Sequence, residues 1–312
     1  MDLELSIEQQ LFDESLTALF IRHAGLERAR ALGGAVDHEM MSTLSAAGYL
    51  DVYAQAGPIE AILVAERATA AVACAPVVAR VLVGPLAGCR DLPPMIGLVA
   101  GPKALVRFAG HCDAYLVLDG HEARLASSDD VECEPVHSPA AYPLGRVHIR
   151  RAESLGDESG PKLRRAWQIG IAAEIGATAR SAVEFSARHV RDRSQFGRPI
   201  GSFQAVQHRL ARSYSMAWAS QWLARRAAWN ATDEFLTASA AAFACATAQL
   251  TYDNTHQVTG AIGITDEYGL VQWTMRLLTL QRELGGGTAH ARHVAQARRI
   301  ARARPAPVTV DD

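Results

Sequence analysis

The spacing of apolar side chains predicts that the chain begins as a set of helices. Ser6 and Gln9 have the spacing of a capping box, in which the serine caps a helix and the glutamine reaches back to it. Apolar residues then recur with a helical period, and further helices are predicted near 37–47 and 58–74. Residues 1–90 are therefore expected to form a helical N-terminal domain.

The period changes to that of β-strands after Pro93 and Pro94. Short β-rich runs occur at 104–108, 115–118 and 146–150. In the last of these runs apolar and polar residues alternate, as expected for a strand with one buried face. These runs predict a short β domain over residues 91–156.

The helical period returns near Pro161 and continues almost to the end of the sequence. Several long helices joined by short links are typical of a helical bundle. Residues 157–304 are therefore predicted to form a C-terminal bundle, and residues 305–312 a tail. The helices predicted within the bundle are 163–191, 203–229, 234–259, 267–283 and 288–303.

The charge balance and the cysteines exclude several classes of function. The formal net charge is −2 over 312 residues, which provides no basic face of the kind that nucleic acid requires. The five cysteines are odd in number and form no C-x-x-C pair, so neither a disulfide framework nor a structural zinc site is expected. Without a secretory signal or an apolar run of ~18 residues, we expect a cytoplasmic protein with no membrane span.

The common self-contained catalytic motifs are absent from the sequence. It contains no G-x-G-x-x-G, no P-loop, no H-E-x-x-H and no G-x-S-x-G. His290 and His293 have a spacing that could place both on one helical face, but a metal site needs more ligands than two. We expect them to be exposed helix histidines, and no metal site is predicted.

Two segments interrupt the predicted helices with glycine, and each could serve a ligand. Residues 191–204 combine two glycines and a proline with three arginines. Glycine allows close approach of a backbone, and guanidinium groups bind phosphate in bidentate fashion, so this segment could hold a phosphate. The second set comprises Gly260, Gly263 and residues 285–287. For both, an ordinary interhelical turn or helix end is the alternative explanation.

Taken together, these segments resemble the acyl-CoA dehydrogenase family. Residues 193–207 read R-x-Q-F-G-x-P-I-x-x-F-Q-x-V-Q, and residues 257–267 read Q-x-x-G-x-x-G-x-T-x-E. A Gly-Gly-Thr at 286–288 precedes the last predicted helix. The resemblance covers about 160–303 strongly and is thinner before that, where residues 4–10 are similar to the usual opening of the family.

The resemblance implies a fold, a cofactor and a set of site residues. The fold is mainly α with a small β middle domain: a helical N-terminal domain, a β-barrel that is truncated here, and a C-terminal four-helix bundle. The cofactor is FAD, bound across a subunit interface. Arg193 and Gln195 would contact its pyrophosphate and Phe196 would lie beside it. Gln257 and Gly260 would reach the adenosine-diphosphate part of a flavin shared with a partner.

The family reaction is α,β-desaturation of an acyl-CoA, in which a glutamate removes the α-proton and FAD accepts the hydride. The two positions that carry this glutamate in the family correspond here to Gly286 and Ala166, neither of which can accept a proton. Glu174 and Glu283 are the nearest weak candidates, and for Glu174 a helix-surface or interface carboxylate is the favoured interpretation. No catalytic residue is therefore predicted in this chain.

A further difference concerns the β region. Family members carry a Thr-Glu-Pro-Gly-x-Gly-Ser-Asp type of segment against the flavin ring, and no equivalent occurs between Pro93 and Gly156. Loss of the base and of this segment, with the rest of the flavin signature kept, is similar to the small subunit of bacterial α2β2 acyl-CoA dehydrogenases. Many such pairs act on steroid side-chain CoA thioesters.

The resemblance therefore implies three kinds of partner: a larger homologous subunit that supplies the glutamate, an acyl-CoA substrate, and electron-transfer flavoprotein or a similar acceptor. Two alternatives remain open. One is a self-sufficient homomeric dehydrogenase with a relocated base, and the other is a catalytically inactive scaffold of the same fold. The colour of the purified protein, alone and with a partner, would separate the three.

Overall fold

The computed structural model describes residues 4–101, 105–137, 139 and 141–303. The predicted tail at 305–312 lies outside these residues. Most of the described chain is helical and a small β region separates two helical parts, so the predicted fold class is confirmed.

The N-terminal part begins with the capping box. The Gln9 backbone N–H donates to Ser6 Oγ at 3.2 Å, and the Ser6 N–H donates to Gln9 Oε1 at 3.1 Å. The predicted helices near 37–47 and 58–74 are present, although the second ends at Ala70. The helices are α1 (Ile7–His23), α2 (Leu26–Leu32), α3 (His38–Ala46), α4 (Val52–Gln55), α5 (Pro58–Ala70) and, after a π-turn at Ala79–Val83, α6 (Gly84–Leu86).

The β region forms two sheets. The larger sheet has the order β1-β3-β4-β7 with β1 parallel to β3, and the smaller sheet has the antiparallel order β2-β6-β5. The predicted alternation is present, since Val147 is buried while Arg146 and His148 are exposed. The strands are β1 (Ile96–Val99), β2 (Leu105–Arg107), β3 (Ala114–Asp119), β4 (Glu122–Ser127), β5 (Val131–Val136), β6 (Leu144–Ile149) and β7 (Glu153–Ser154).

The C-terminal part is a bundle organised around the long helix α7. Its helices pack closely because small residues face one another: a Cβ added to Gly176 would lie 2.9 Å from the backbone N of Gln221. α10 begins later than predicted, since Gly269 takes a left-handed φ of +86° that a continuous helix does not allow. The elements are α7 (Ser159–Asp192), β8 (Ser194–Gln195), β9 (Arg198–Pro199), α8 (Gln204–Trp229), α9 (Glu234–Thr259), α10 (Val271–Leu280) and α11 (Gly286–Ala303).

Buried polar contacts join the bundle to the N-terminal helices. Arg225 of α8 pairs with Glu66 of α5 at 2.6 Å, and both side chains are buried. Arg276 of α10 donates to the carbonyl oxygens of Val72 and Ala73, each at 2.9 Å. In the described part of the chain no helix is both long enough and apolar enough to cross a membrane.

Candidate functional site

The arginine- and glycine-rich segment after α7 folds into a β-hairpin. Strands β8 and β9 are joined by the two residues Phe196 and Gly197, whose φ angles are +54° and +79°. Two positive φ values are the mark of a type I′ turn, the turn that suits a two-residue hairpin. Phe196 is therefore held in an unfavourable backbone conformation, with 89% of its side chain exposed. Such a residue is a candidate for contact with a ligand or a partner.

Packing brings the second glycine segment to the same end of the bundle. Val258 near the end of α9 belongs to a buried cluster with Val190 of α7 and Leu210 of α8, and Ile200 packs against it directly after the hairpin. The exposed Gln257 precedes Val258 in the chain, and Gly260 ends α9 two residues after it. The structure thus places Gln257 and Gly260 at the end of the bundle that carries the hairpin, whereas Gly287 lies beside Cys245 in the middle of α9.

The donors on this surface match the chemistry of a dinucleotide pyrophosphate. Arg193 is exposed, and no carboxylate of the described residues pairs with its guanidinium. Gln195 is also exposed. Gly197 and Gly260 have nothing within 4 Å of the position that a Cβ would occupy, so each presents open backbone. Free guanidinium groups beside open glycines can bind phosphate, and these residues fit FAD.

Neither expected position of the catalytic base holds a titratable group. Ala166 is buried within α7. Gly286 begins α11 with a φ of +73°, and a Cβ added there would lie 3.0 Å from the Gln281 carbonyl oxygen. A glutamate at this position would be strained in this backbone. The local structure is therefore built for glycine.

The two weak candidate bases are joined by a side chain that sequence analysis missed. Arg107 of β2 donates from Nη1 and Nη2 to the two carboxylate oxygens of Glu174, both at 2.8 Å. Its Nε donates to Glu283 Oε1 at 2.6 Å, and Trp167 Nε1 donates to Glu283 Oε2 at 2.6 Å. We refer to Arg107, Glu174, Glu283 and Trp167 as the Arg107 cluster. The interpretation of Glu174 as a helix-surface carboxylate is wrong, because Glu174 is only 4% exposed.

Burial and charge set the ionisation of the Arg107 cluster. Burial alone would lower the pKa of Arg107, but the two carboxylates outweigh it and the pKa is raised. Burial raises the pKa of Glu283, and Arg107 only partly opposes this because it is shared with Glu174. The ring of Tyr142 lies 5.0 Å from the Arg107 guanidinium. The cation therefore stays charged, and both carboxylates are committed to it.

The Arg107 cluster lines two cavities of very different size. The cavity lined by Arg107, Trp167, Glu174 and Glu283 has a volume of about 30 Å³. A cavity of that size holds about one water molecule. Arg107, Trp167 and Glu283 also line a larger cleft of about 510 Å³ between the β region and the residues leading to α11. Glu283 therefore borders the larger cleft as well as the small cavity, and Glu174 borders the small cavity.

The expected exposure of the helix histidines is wrong for His290. His290 is fully buried, and the Gln168 side-chain nitrogen lies 3.2 Å from its Nδ1 and 3.4 Å from Nδ1 of His293. Burial lowers the pKa of His290 to about 4. The two rings share one amide, and the described residues include no group of three acidic, histidine or cysteine side chains placed to bind a metal ion.

Comparisons with known proteins find sequence similarity over part of this chain. The model of the family described as acyl-CoA dehydrogenase, C-terminal domain, matches residues 168–300. Acyl-CoA dehydrogenase FadE34 of Mycobacterium tuberculosis is 30% identical over 174 residues, covering 53% of this chain and 24% of that protein. Probable acyl-CoA dehydrogenase YngJ of Bacillus subtilis is 32% identical over 181 residues, covering 57% of this chain and 46% of that protein. The matched region thus spans less than half the length of these relatives.

Solved structures are similar over nearly the whole chain. A chain of the ChsE4-ChsE5 complex from Mycobacterium tuberculosis superposes with a TM-score of 0.82 at 20% identity, covering 98% of this chain and 100% of that chain. The Tcur3481-Tcur3483 steroid ACAD G363A variant superposes with a TM-score of 0.83 at 22% identity, covering 95% of this chain and 99% of that chain. Butyryl-CoA dehydrogenase from Megasphaera elsdenii superposes with a TM-score of 0.74 at 16% identity, covering 96% of this chain and 100% of that chain. The family model and the relatives thus support the acyl-CoA dehydrogenase family, and the structures show that this chain has its fold.

Proposed function

We propose that this chain is a subunit of an FAD-dependent acyl-CoA dehydrogenase that helps to bind the flavin but supplies no catalytic base. The proposal rests on one observation: the carboxylates nearest to the two base positions are paired with an arginine. Gly286 and Ala166 occupy the two base positions, and the two nearest glutamates pair with Arg107, with side chains that are only 6% and 11% exposed. A base must be free to take up the proton that it removes, and both carboxylates are committed to hydrogen bonds with the Arg107 guanidinium.

The flavin-binding role rests on the hairpin and on the end of α9. Arg193 and Gln195 would hold the pyrophosphate of FAD, and the exposed ring of Phe196 would lie beside the cofactor. Gln257 and Gly260, at the same end of the bundle, would contact the adenosine-diphosphate part of a flavin shared with a partner. When bound, FAD supplies the acceptor for the hydride. This chain's own contribution would be to bind and orient the cofactor.

The partner in this proposal is a larger homologous chain that supplies the glutamate, in an α2β2 assembly. Two structures similar to this chain are named for paired chains, the ChsE4-ChsE5 complex and the Tcur3481-Tcur3483 steroid ACAD. Both names favour a heteromer, and the second favours a steroid substrate, for which we propose an acyl-CoA of the steroid side-chain class. The electrons would pass to electron-transfer flavoprotein or a similar acceptor, in the cytoplasm.

The test uses the complex of this chain with its partner, and it measures desaturation rate per bound FAD. Glu174→Gln and Glu283→Gln should each change that rate by less than about tenfold, whereas general-base catalysis contributes roughly 100- to 10,000-fold. Replacing the partner's catalytic glutamate should abolish activity. A loss of more than about a hundredfold in either variant, with flavin content and melting temperature unchanged, would make that residue the base and refute the proposal.

The same preparation separates the alternatives. A chain that is yellow and active without a partner would be a self-sufficient homomeric dehydrogenase. A chain that never binds flavin, alone or with the partner, would be a scaffold. The proposed subunit gives flavin and activity only in the complex.

A further inference from the structure

Arg198, in the second strand of the hairpin, is a cation that the proposed function has not used. The register pairs Gln195 with Arg198 and Ser194 with Pro199. The Ile200 N–H donates to the Arg193 carbonyl at 2.8 Å, which continues the same pairing by one step. Directly opposed residues of a ladder share a face, and so do residues two apart in one strand. Arg193, Gln195 and Arg198 therefore lie on the same face of the hairpin.

The guanidinium of Arg198 is held in place by a ring. Its Cζ lies 4.1 Å from the ring centre of Phe203, and the Phe196 ring meets Phe203 edge-on at 6.2 Å. Arg198 forms no ion pair with a described carboxylate, and its side chain is exposed. Stacking on an aromatic face leaves the edge N–H groups of a guanidinium free to donate. Arg198 is thus ordered but still able to bind an anion.

We propose that Arg198 is a second phosphate-binding residue, which positions the pyrophosphate of FAD together with Arg193. The inference rests on the proposed function, since it concerns the same flavin site. A dinucleotide pyrophosphate carries a negative charge on each phosphate, and this face of the hairpin offers two guanidinium groups. Cβ atoms of a directly opposed pair lie about 5 Å apart, so Gln195 and Arg198 can reach adjacent phosphate oxygens. The open turn at Gly197 leaves room for close approach.

The experiment measures the affinity of FAD for the assembled complex in low and in high salt. Arg198→Gln should weaken FAD binding about tenfold or more at low salt, since a charge-assisted hydrogen bond is lost. The loss should shrink at high salt, because screening weakens the wild-type contact. Arg198→Lys should restore part of the affinity. Arg212→Gln, at an exposed arginine of α8 outside the hairpin segment, is the matched control and should stay within about twofold of wild type.

A purely structural role for Arg198 gives a different result. If Arg198 serves only to pack against Phe203, then Phe203→Leu and Arg198→Gln should lower the affinity for FAD equally and independently of salt. That result would make the inference wrong. Unchanged FAD affinity in Arg198→Gln would also overturn it. The flavin-binding part of the proposed function is tested separately, because it fails if the wild-type complex binds no flavin or if Arg193→Ala leaves FAD affinity unchanged.

Discussion

Replacing Arg107 by methionine should destabilise the protein severely. The change keeps an unbranched stem but removes a guanidinium that makes three hydrogen bonds of 2.6–2.8 Å to two carboxylates. Breaking a buried ion pair costs about 3–5 kcal/mol, because the remaining charge is left without a partner. Here Glu174 and Glu283 are both left, so we expect the upper part of that range. That loss is a large fraction of a typical stability of about 5–15 kcal/mol.

The assay is chemical denaturation of the assembled protein, followed by circular dichroism at several pH values. Burial already raises the pKa of Glu283, and without the guanidinium nothing from Arg107 opposes that rise, so the pKa of Glu283 lies further above its value in the unfolded chain. A raised pKa means that the folded state binds protons more tightly, and the loss of stability should therefore diminish as the pH falls. Adding Glu174→Gln and Glu283→Gln to the Arg107→Met variant should recover much of the stability at neutral pH.

A surface pair provides the matched control. Arg150 pairs with Glu132 at 2.6 Å, and both side chains are 59% exposed. Exposed pairs contribute only about 0–1 kcal/mol, so Arg150→Met should cost little. If Arg107→Met costs no more than Arg150→Met, the Arg107 cluster does not hold the β region against the bundle, and our account of its carboxylates is wrong.

Two further predictions concern the flavin surface and the buried histidine. Arg193→Ala should lower the FAD content of the purified complex, measured by absorbance, by an amount equivalent to about 1.5–3 kcal/mol of binding energy, and unchanged occupancy would contradict the role of Arg193. His290 has a folded pKa of about 4 against an ordinary value of 6.5, so its contribution to stability is present above about pH 6.5 and is lost as the pH falls towards 4. The stability of the His290→Leu variant should therefore fall less between pH 6.5 and pH 4 than that of wild type. Identical acid-unfolding profiles would refute this role of His290.

The local structure of this protein can be read from its sequence to a large extent. The capping box at Ser6 and Gln9 involves neighbouring residues, and the periods of the bundle helices depend on their own side chains. The predicted helix over 234–259 has the bounds found in the structure. The signature beginning at Arg193 also lies in one continuous segment, so it can be recognised without a fold. Short-range interactions are sufficient for all of these features.

The Arg107 cluster depends on contacts that no local pattern shows. Arg107 lies 67 residues from Glu174 and 176 residues from Glu283 in the sequence, and the three meet only because β2 packs against α7 and the turn before α11. The sequence left Glu174 as a helix-surface or interface carboxylate because nothing near it in the chain indicates that cation, and only the surface alternative is wrong. The exposure of His290 was misjudged for the same reason, since Gln168 lies 122 residues away. The burial and partners of a polar side chain are set by the elements that fold over it, so only the tertiary structure decides whether a carboxylate is a free base or half of an ion pair.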